Sequence, residues 1–201
     1  MKKLSLLFSL LFILGSFASA SAIDQTGKFA VGGHFGYSVG FGDAFKEYKW
    51  GEYWGTEYLE FKYQNKVTYS FWGNVKYGLN PNLALMAVVD YQAGDVEVTT
   101  TVGGIGGSAS ASYHWTSVLG NLVFNLSPDK QTCPYFTGGG GIYINDDVSE
   151  PGVNLGGGIE HFFQNNLALD VGARLHMLFT GGERTNYFNL YAGLNYYFGM
   201  K

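Results

Sequence analysis

Cysteine, proline and charged residues are all scarce in this chain of 201 residues. It has one cysteine, four prolines and 14 % charged residues. The single thiol, Cys133, cannot form a disulfide within the chain, so the fold needs another source of stability. After residue 22 the sequence lacks any apolar stretch of the roughly eighteen residues that a spanning helix needs. Membrane-spanning helices are therefore excluded from that part of the sequence.

The first 22 residues have the composition of a secretory signal peptide. Two lysines precede an apolar run over residues 4–17, and residues 18–20 and 20–22 both offer a small-residue cleavage site. The alternative is a membrane anchor helix, for which the apolar run is short. No cysteine lies near the cleavage sites, so a lipoprotein is not expected. We therefore expect residues 1–22 to be a signal peptide and residues 23–201 to be one exported domain.

Charge and hydropathy limit the kind of domain. Without the two lysines of the signal peptide, ten basic and sixteen acidic residues give a net charge near −6, which offers nothing to a nucleic acid. Glycine is frequent at 30 residues and aromatic residues make up 17 %, yet mean hydropathy is zero. Such an average is typical of a β-barrel in a membrane, because lipid-facing and lumen-facing residues cancel.

Residues 167–177 show the pattern that best indicates the architecture. Their odd positions are mostly apolar, whereas Asp170, Arg174 and His176 lie at even positions. Because successive side chains of a strand point to opposite faces, one face is apolar and the other polar. Similar stretches of about ten residues recur, the length that a tilted strand needs to cross a bilayer. The sequence therefore predicts an all-β protein, an eight-stranded antiparallel up-and-down transmembrane β-barrel, in preference to a secreted β-sandwich.

The eight predicted strands are joined by connections of alternating length. The strands are 29–41, 67–79, 83–91, a segment ending at 118–126, 135–144, 153–163, 167–177 and 187–198. Short turns are predicted around Pro81, Pro128 and Asn165, and longer outer loops at 43–58, 92–116, 145–152 and 180–186. This alternation places the Pro81 turn in the periplasm and the region around Trp54 outside the cell. The second strand alternates from Leu59 onward, which predicts that it projects above the membrane.

Five charged residues are expected to line the barrel interior as a network: Lys76, Asp90, Glu160, Asp170 and Arg174. Pairing about Asn165 sets Glu160 opposite Asp170, and such like charges need a cation between them. We expect Lys76 at this lower level. Arg174 and Asp90 are expected at an upper level, with Arg174 also able to reach Asp170. The alternative is that these charges only solvate a wet lumen.

The lumen of eight strands is narrow, and large side chains are expected to fill it. Trp72, Met86, Tyr191 and Tyr197 all fall at inward positions of the predicted strands. Because an eight-stranded barrel has an interior just wide enough for side chains, no large pore is expected.

Aromatic residues are concentrated in the first long connection. Tyr48, Trp50, Tyr53, Trp54 and Tyr58 lie there among acidic and basic residues. This mixture is typical of a surface that binds a partner, and also of an interfacial girdle with a solvated hairpin tip.

Motifs for catalysis or for cofactors are weak. The glycine-rich segments 103–107 and 138–141 are not followed by a helix with lysine and serine or threonine, so they predict no nucleotide site. The first is interpreted as a flexible outer loop and the second as a strand crowded against the lumen, whose faces the pattern leaves unassigned. The four histidines lack metal-ligand spacing. No catalytic residue, cofactor or metal is expected.

Short motifs recur at corresponding places in the predicted strands. Residues 82–85 and 166–169 both read Asn-Leu-Ala-Leu after a turn, residues 134–138 (Pro-Tyr-Phe-Thr-Gly) belong to a glycine-rich strand, and residues 193–198 end on Phe198. With these motifs the whole mature chain resembles the small outer-membrane β-barrel family, typified by OmpA-like transmembrane domains and their eight-stranded relatives. Barrels of that family usually end on an aromatic residue, whereas three residues follow Phe198 here.

The resemblance implies a location and a set of partners. It implies a monomer in the outer membrane of a Gram-negative-type cell envelope, surrounded by outer-membrane lipid and lipopolysaccharide and inserted by the barrel-assembly machinery. It favours a non-enzymatic structural or surface-interaction role. One alternative is a narrow channel for small or apolar solutes. Another is a lipid-modifying enzyme, but its histidine–serine pair is approached only by His114-Trp115-Thr116, without the serine.

Overall fold

The protein is an antiparallel β-barrel, and nine strands follow one another in the part of the chain that the structure describes. The computed structural model describes residues 24–42, 48–54, 57–102, 105–145, 148–180 and 183–199. The strands are β1 (Phe29–Gly42), β2 (Tyr48–Trp54), β3 (Glu57–Gly78), β4 (Leu83–Val102), β5 (Ile105–Asn125), β6 (Thr132–Asn145), β7 (Val148–Gln164), β8 (Leu167–Thr180) and β9 (Glu183–Phe198). Among these residues no helix is long and apolar enough to cross a membrane.

Closure of the barrel depends on β1. This strand pairs antiparallel with β9 on one side and with β3 on the other. His34 of β1, for example, lies opposite Gly193 and opposite Trp72. Among the described residues β2 pairs only with β3, so the other eight strands form the closed ring. The predicted eight-stranded up-and-down barrel is confirmed, and β2 is an additional strand outside it.

Alternation along each barrel strand separates a polar interior from an apolar exterior. Inward side chains such as His34, Ser70 and Glu160 are at most 6 % exposed. The outward neighbours form an apolar belt of half-exposed side chains, among them Phe35, Phe71, Val75, Leu85, Val118, Leu122, Phe136, Ile159, Leu190 and Phe198. In a water-soluble protein this arrangement is inverted, whereas a bilayer solvates an apolar exterior.

Short turns close one end of the barrel, as predicted. At residues 79–82 the side chain of Asn80 accepts hydrogen bonds from the backbone N–H groups of Asn82 and Leu83, both at 2.9 Å. This local hydrogen bonding is the reason that asparagine favours turns. Residues 126–131 and 165–166 form the other two short connections.

The long outer loops were predicted wrongly, because strands continue through most of them. β4 and β5 are 20 and 21 residues long and pair from Leu83↔Phe124 to Val102↔Ile105. Residues 92–102 and 105–116 therefore pair as two arms of a β-hairpin. Of the predicted flexible loop, Gly106 and Gly107 belong to β5, whereas residues 103 and 104 lie outside the described residues. Strands likewise continue into 145–152 and 180–186. Outside the membrane both faces of a strand meet water, so the alternation that reveals a strand fades.

The first long connection also contains strands. β2 and residues 57–65 of β3 pair from Tyr48↔Tyr63 to Trp54↔Glu57, and β3 in turn pairs with β4 up to Val102. Together with residues 105–115 of β5, these segments form a four-stranded sheet that extends beyond the barrel, which we call the projecting sheet. The prediction that the strand beginning near Leu59 projects from the barrel is confirmed.

The faces of β6 are clear in the structure. Cys133, Tyr135 and Tyr143 point inward and are at most 5 % exposed, whereas Phe136 is 59 % exposed. A Cβ at inward Gly139 would overlap the Gly120 carbonyl oxygen and the Asn121 side chain. Glycine at this position thus lets β6 lie close against β5.

Candidate functional site

The lumen holds an ion pair near the end with the short turns. Lys76 Nζ lies 3.0 Å from each carboxylate oxygen of Glu160. The same carboxylate accepts hydrogen bonds from Tyr197 Oη at 2.7 Å and from Asn195 Nδ2 at 2.7 Å. Such dense hydrogen bonding is what a carboxylate that is 0 % exposed requires.

The segment before β1 covers this ion pair. The Gln25 side chain is buried and donates to Glu160 Oε2 at 3.5 Å, while Asn125 Nδ2 donates to Gln25 Oε1 at 3.4 Å. The Gly27 N–H bonds to the Gly78 carbonyl at 2.8 Å, which fixes the segment across this end of the barrel. Outside the barrel, hydrogen bonds from Thr26 lower the pKa of Asp24. This end of the lumen is thus closed by the chain's own N-terminal segment.

Asp170 lies opposite Glu160 across the β7–β8 pair, and its own hydrogen-bond partners are the side chains of His34 and Tyr135. His34 Nε2 is 2.9 Å from Asp170 Oδ2, and Tyr135 Oη donates to Asp170 Oδ1 at 2.7 Å. Asn195 Nδ2 also reaches Asp170 at 3.4 Å and so bridges the two carboxylates. The two like charges coexist because each has its own donors and the Asn195 amide is shared.

We expected Arg174 to be able to reach Asp170, but in the structure Arg174 is not the partner of Asp170. Its guanidinium carbon lies 4.8 Å from the centre of the Trp72 ring and 5.6 Å from that of Tyr191. Trp72 in turn stacks on His34, with ring centres 3.6 Å apart. A planar guanidinium gains by stacking on an aromatic face, and His34 already occupies the carboxylate. Arg174, Trp72 and His34 therefore form a stack across the lumen.

Asp90 and Arg174 share the upper level but form no ion pair within 4 Å. Asp90 is 2 % exposed and receives only a long hydrogen bond of 3.5 Å from Gln92. Its register partner across the β4–β5 pair is Ser117. Arg174 Nε and Nη2 and Asp90 Oδ1 have no hydrogen-bond partner among the described residues. Buried polar atoms of this kind are usually satisfied by ordered water.

Above the stack, aromatic side chains fill the remaining cross-section. Tyr143 Oη lies 2.9 Å from His176 Nδ1, and the His176 ring stacks on Tyr187 at 4.3 Å. A cavity of about 10 Å³ remains beside Gln92 and Tyr187, which is room for about one water molecule. From Gln25 to Tyr187 the lumen is therefore occupied by side chains.

The five charged residues singled out by the sequence all lie in this lumen, at 0–3 % exposure. The structure brings Lys76 and Glu160 into contact, sets Asp170 opposite Glu160, and leaves Asp90 and Arg174 near each other without contact. Sequence reasoning missed the role of His34. The alternation of β1 predicts its inward position, but its contact with Asp170 depends on how β1 and β8 align on the two sides of β9.

The aromatic residues of the first connection belong to the projecting sheet. Tyr53 is 74 % exposed in β2. The side chains of Tyr48, Trp50, Trp54 and Tyr58 lie outside the described residues, although their backbones pair in β2 and β3. Whether they form a partner-binding surface stays a prediction.

Among the described residues outside the lumen, the side chains that could bind a metal ion do not form a cluster. Within the described ranges no three histidine, cysteine or acidic side chains could hold a metal ion. His114 stacks on Tyr91 on the outer surface, with ring centres 5.9 Å apart.

Several solved structures have an architecture similar to that of this chain. Neisserial surface protein A aligns with a TM-score of 0.57 at 13 % identity, covering 84 % of this chain and 96 % of its own. The outer membrane protein OprG from Pseudomonas aeruginosa aligns at 0.55 and 12 % identity, covering 90 % and 98 %. The outer membrane protein AlkL aligns at 0.52 and 15 % identity, covering 91 % and 95 %. The chain has the fold of the small outer-membrane β-barrels.

At these identities the likeness defines the fold alone. No protein-family model and no curated protein sequence matches the chain. The three structural neighbours named above are surface or outer-membrane proteins by name. The expected resemblance to small outer-membrane barrels is thus confirmed at the level of architecture.

Proposed function

We propose that this chain is a non-enzymatic outer-membrane barrel with a closed lumen, which presents the projecting sheet to the cell exterior as an interaction surface. The observation that carries this proposal is the contrast between a filled interior and strands that continue far beyond it. The apolar belt and the outer-membrane neighbours support the location.

The filled lumen argues against a channel. The stack of His34, Trp72 and Arg174 crosses the interior, and the Lys76–Glu160 pair and Gln25 lie below it. A solute would have to break the buried Lys76–Glu160 ion pair and separate stacked rings to pass, because eight strands leave no second path.

The length of β4 and β5 argues for a role outside the membrane. About 10 residues suffice for a tilted strand to cross the bilayer, whereas these strands have 20 and 21. At a rise of about 3.3 Å per residue and a tilt of about 40°, the excess of roughly 10 residues extends some 25 Å into solvent. A purely structural barrel has no need for such an extension.

Two measurements test the proposal together. In planar bilayers the purified barrel should give no steady single-channel conductance, whereas a Trp72→Ala, Arg174→Ala variant should leak and so proves that insertion was achieved. On intact cells a membrane-impermeant maleimide should label Ser108→Cys and not Asn82→Cys. Steady openings of the unmodified barrel, or labelling of Asn82→Cys alone, would overturn the proposal.

A further inference from the structure

One edge of the projecting sheet is open. β5 pairs with β4 along its whole length, from Leu83↔Phe124 to Val102↔Ile105. Its other neighbour, β6, pairs with it only from Thr116↔Ile144 to Asn125↔Tyr135. In the part of the chain that the structure describes, no strand pairs with residues 105–112 on that side. An unpaired strand edge offers a row of backbone donors and acceptors.

The hydrogen bonds of β5 show which residues offer those groups. The Asn125 N–H bonds toward β4, to the Asn82 carbonyl at 2.7 Å, and the Leu126 N–H bonds toward β6, to the Pro134 carbonyl at 2.8 Å. Because this direction alternates and β5 pairs with β4 without a register shift, even-numbered residues turn toward the β6 side. Gly106, Ser108, Ser110 and Ser112 therefore present their backbone N–H and C=O groups at the open edge.

The usual protection of an edge strand is missing here. Residues 105–112 contain no charged residue and no proline, and all eight are exposed. The opposite edge of the same sheet, β2, carries Lys49 and Glu52 in its sequence. Natural sheets block pairing at exposed edges with charges, prolines or bulges. An uncharged, exposed edge composed mostly of glycine, alanine and serine accepts an additional strand readily.

The neighbouring strand gives the open edge a charge preference. Asp95 and Glu97 of β4 lie opposite Ser112 and Ser110, on the face that continues the barrel exterior. Asp95 Oδ1 accepts a hydrogen bond from Ser112 Oγ at 2.8 Å. Serine is short, so long basic side chains on an added strand can extend across β5 toward these carboxylates. On the other face, Ala109 and Ala111 leave room for aliphatic side chains.

We propose that the open edge of β5, residues 106–112, binds an extended segment of a partner protein by antiparallel β-strand addition, with alternating basic and aliphatic side chains. This inference rests on the proposed function, since it names the partner class of the projecting sheet. Main-chain hydrogen bonds supply the affinity and the alternate side chains supply the preference.

A second copy of the chain in the same membrane does not fit this edge. Two copies are related by an axis along the membrane normal, so their β5 strands cross at about twice the barrel tilt, some 70–90°. Strands at such an angle cannot form a hydrogen-bonded ladder. The occupant is therefore a segment free to align with β5.

The probe for the test is a synthetic nine-residue peptide, Thr-(Lys-Val)₃-Lys-Thr, capped at both ends, titrated onto the refolded barrel in detergent. Antiparallel addition directs the lysine N–H groups at β5, so N-methylation of the lysines should abolish binding. N-methylation of the valines, at equal charge, should not. Ser110→Pro removes one edge N–H without touching the β4–β5 ladder and should weaken binding about tenfold, whereas Ser110→Ala should not.

Peptide binding is measured by fluorescence anisotropy. In addition, hydrogen exchange at the backbone amides of Ser108, Ser110 and Ser112 should slow when the peptide is bound. The proposal is overturned if the peptide does not bind, or if both N-methylated peptides bind equally well, which indicates charge attraction alone. A Ser110→Cys variant that crosslinks to itself in membranes would also overturn it, in favour of a second copy. Should Ser110→Pro fail to fold, the two N-methylated peptides decide the matter on the unmodified barrel.

The two proposals can fail separately. If the barrel gives no conductance and Ser108→Cys is labelled from outside the cell, but the peptide does not bind, only the edge proposal is refuted. A conducting barrel, or a projecting sheet on the periplasmic side, refutes the proposed function whatever the peptide does.

Discussion

Replacing Lys76 by methionine should destabilise the barrel far more than a change of one exposed side chain. Methionine keeps the length of the side chain but leaves the Glu160 carboxylate without its cation. The two side chains are 4 % and 1 % exposed, and the ammonium contacts both carboxylate oxygens at 3.0 Å. Removing one partner of a buried pair costs about 3–5 kcal/mol, because the remaining charge stays buried.

The remaining contacts of Glu160 determine where in that range the loss of unfolding free energy should lie. Tyr197 and Asn195 still donate to the carboxylate after the substitution. Because each hydrogen bond to a charged group contributes about 1.5–3 kcal/mol, the loss should lie near the lower limit, about 3 kcal/mol. Adding Glu160→Gln removes the orphaned charge, so the double variant should recover about 2 kcal/mol of it.

Urea unfolding in lipid vesicles, followed by tryptophan fluorescence and by heat-modifiable gel migration, measures all four corners of this cycle. Lys130→Met is the matched control, because Lys130 is exposed in the turn after β5 and its loss should change stability by less than about 0.5 kcal/mol. If the effects of Lys76→Met and Glu160→Gln add within about 0.5 kcal/mol, the two residues are not coupled and the reasoning fails.

Three further experiments test the arrangement of the same interior. His34→Ala and Asp170→Asn should couple in unfolding experiments, whereas Arg174→Ala and Asp170→Asn should be additive; the reverse result would restore the arginine–aspartate pair. Gly139→Ala should prevent formation of the folded gel band because its Cβ meets backbone, while Gly120→Ala, with open space around it, should fold normally. Cys133, 1 % exposed, should resist maleimide in the folded barrel and react in urea; fast labelling of the native form would contradict the inward face of β6.

The barrel could be predicted from the sequence because lipid enforces a strict alternation. Wherever one face of a strand belongs to the apolar belt and the other face lines the lumen, the two faces must differ in polarity. Val171 and Asp170 are an example. The same rule gave the inward position of all five lumen charges. Above the membrane this rule ends, and the Ser-Ala repeat of β5 then looks like a loop although it is a strand.

The sequence does not predict which side chains contact each other across the lumen, and the reason is a different one. Strand alternation gives the face of a residue and the turns give its height, but contacts across the lumen depend on how far each strand is shifted around the ring. His34 lies opposite Gly193, and Gly193 lies opposite Asp170, so the missing side chain of Gly193 lets the two meet. A Cβ on Gly193 would overlap the His34 ring. No spacing in the sequence joins residues that are so far apart.

The differing strand lengths connect the closed interior to the open edge. Closure of a barrel removes every strand edge, but only over the height that all its strands share. β1 and β6 have 14 residues each, whereas β3, β4 and β5 have 20 to 22. The longer strands must therefore form an open sheet above the ring, with one edge at β2 and the other at β5. The β5 edge of this sheet begins where β6 ends, because β6 pairs with β5 only from Thr116 onward among the described residues, and it is this difference in length that leaves the edge available to a partner.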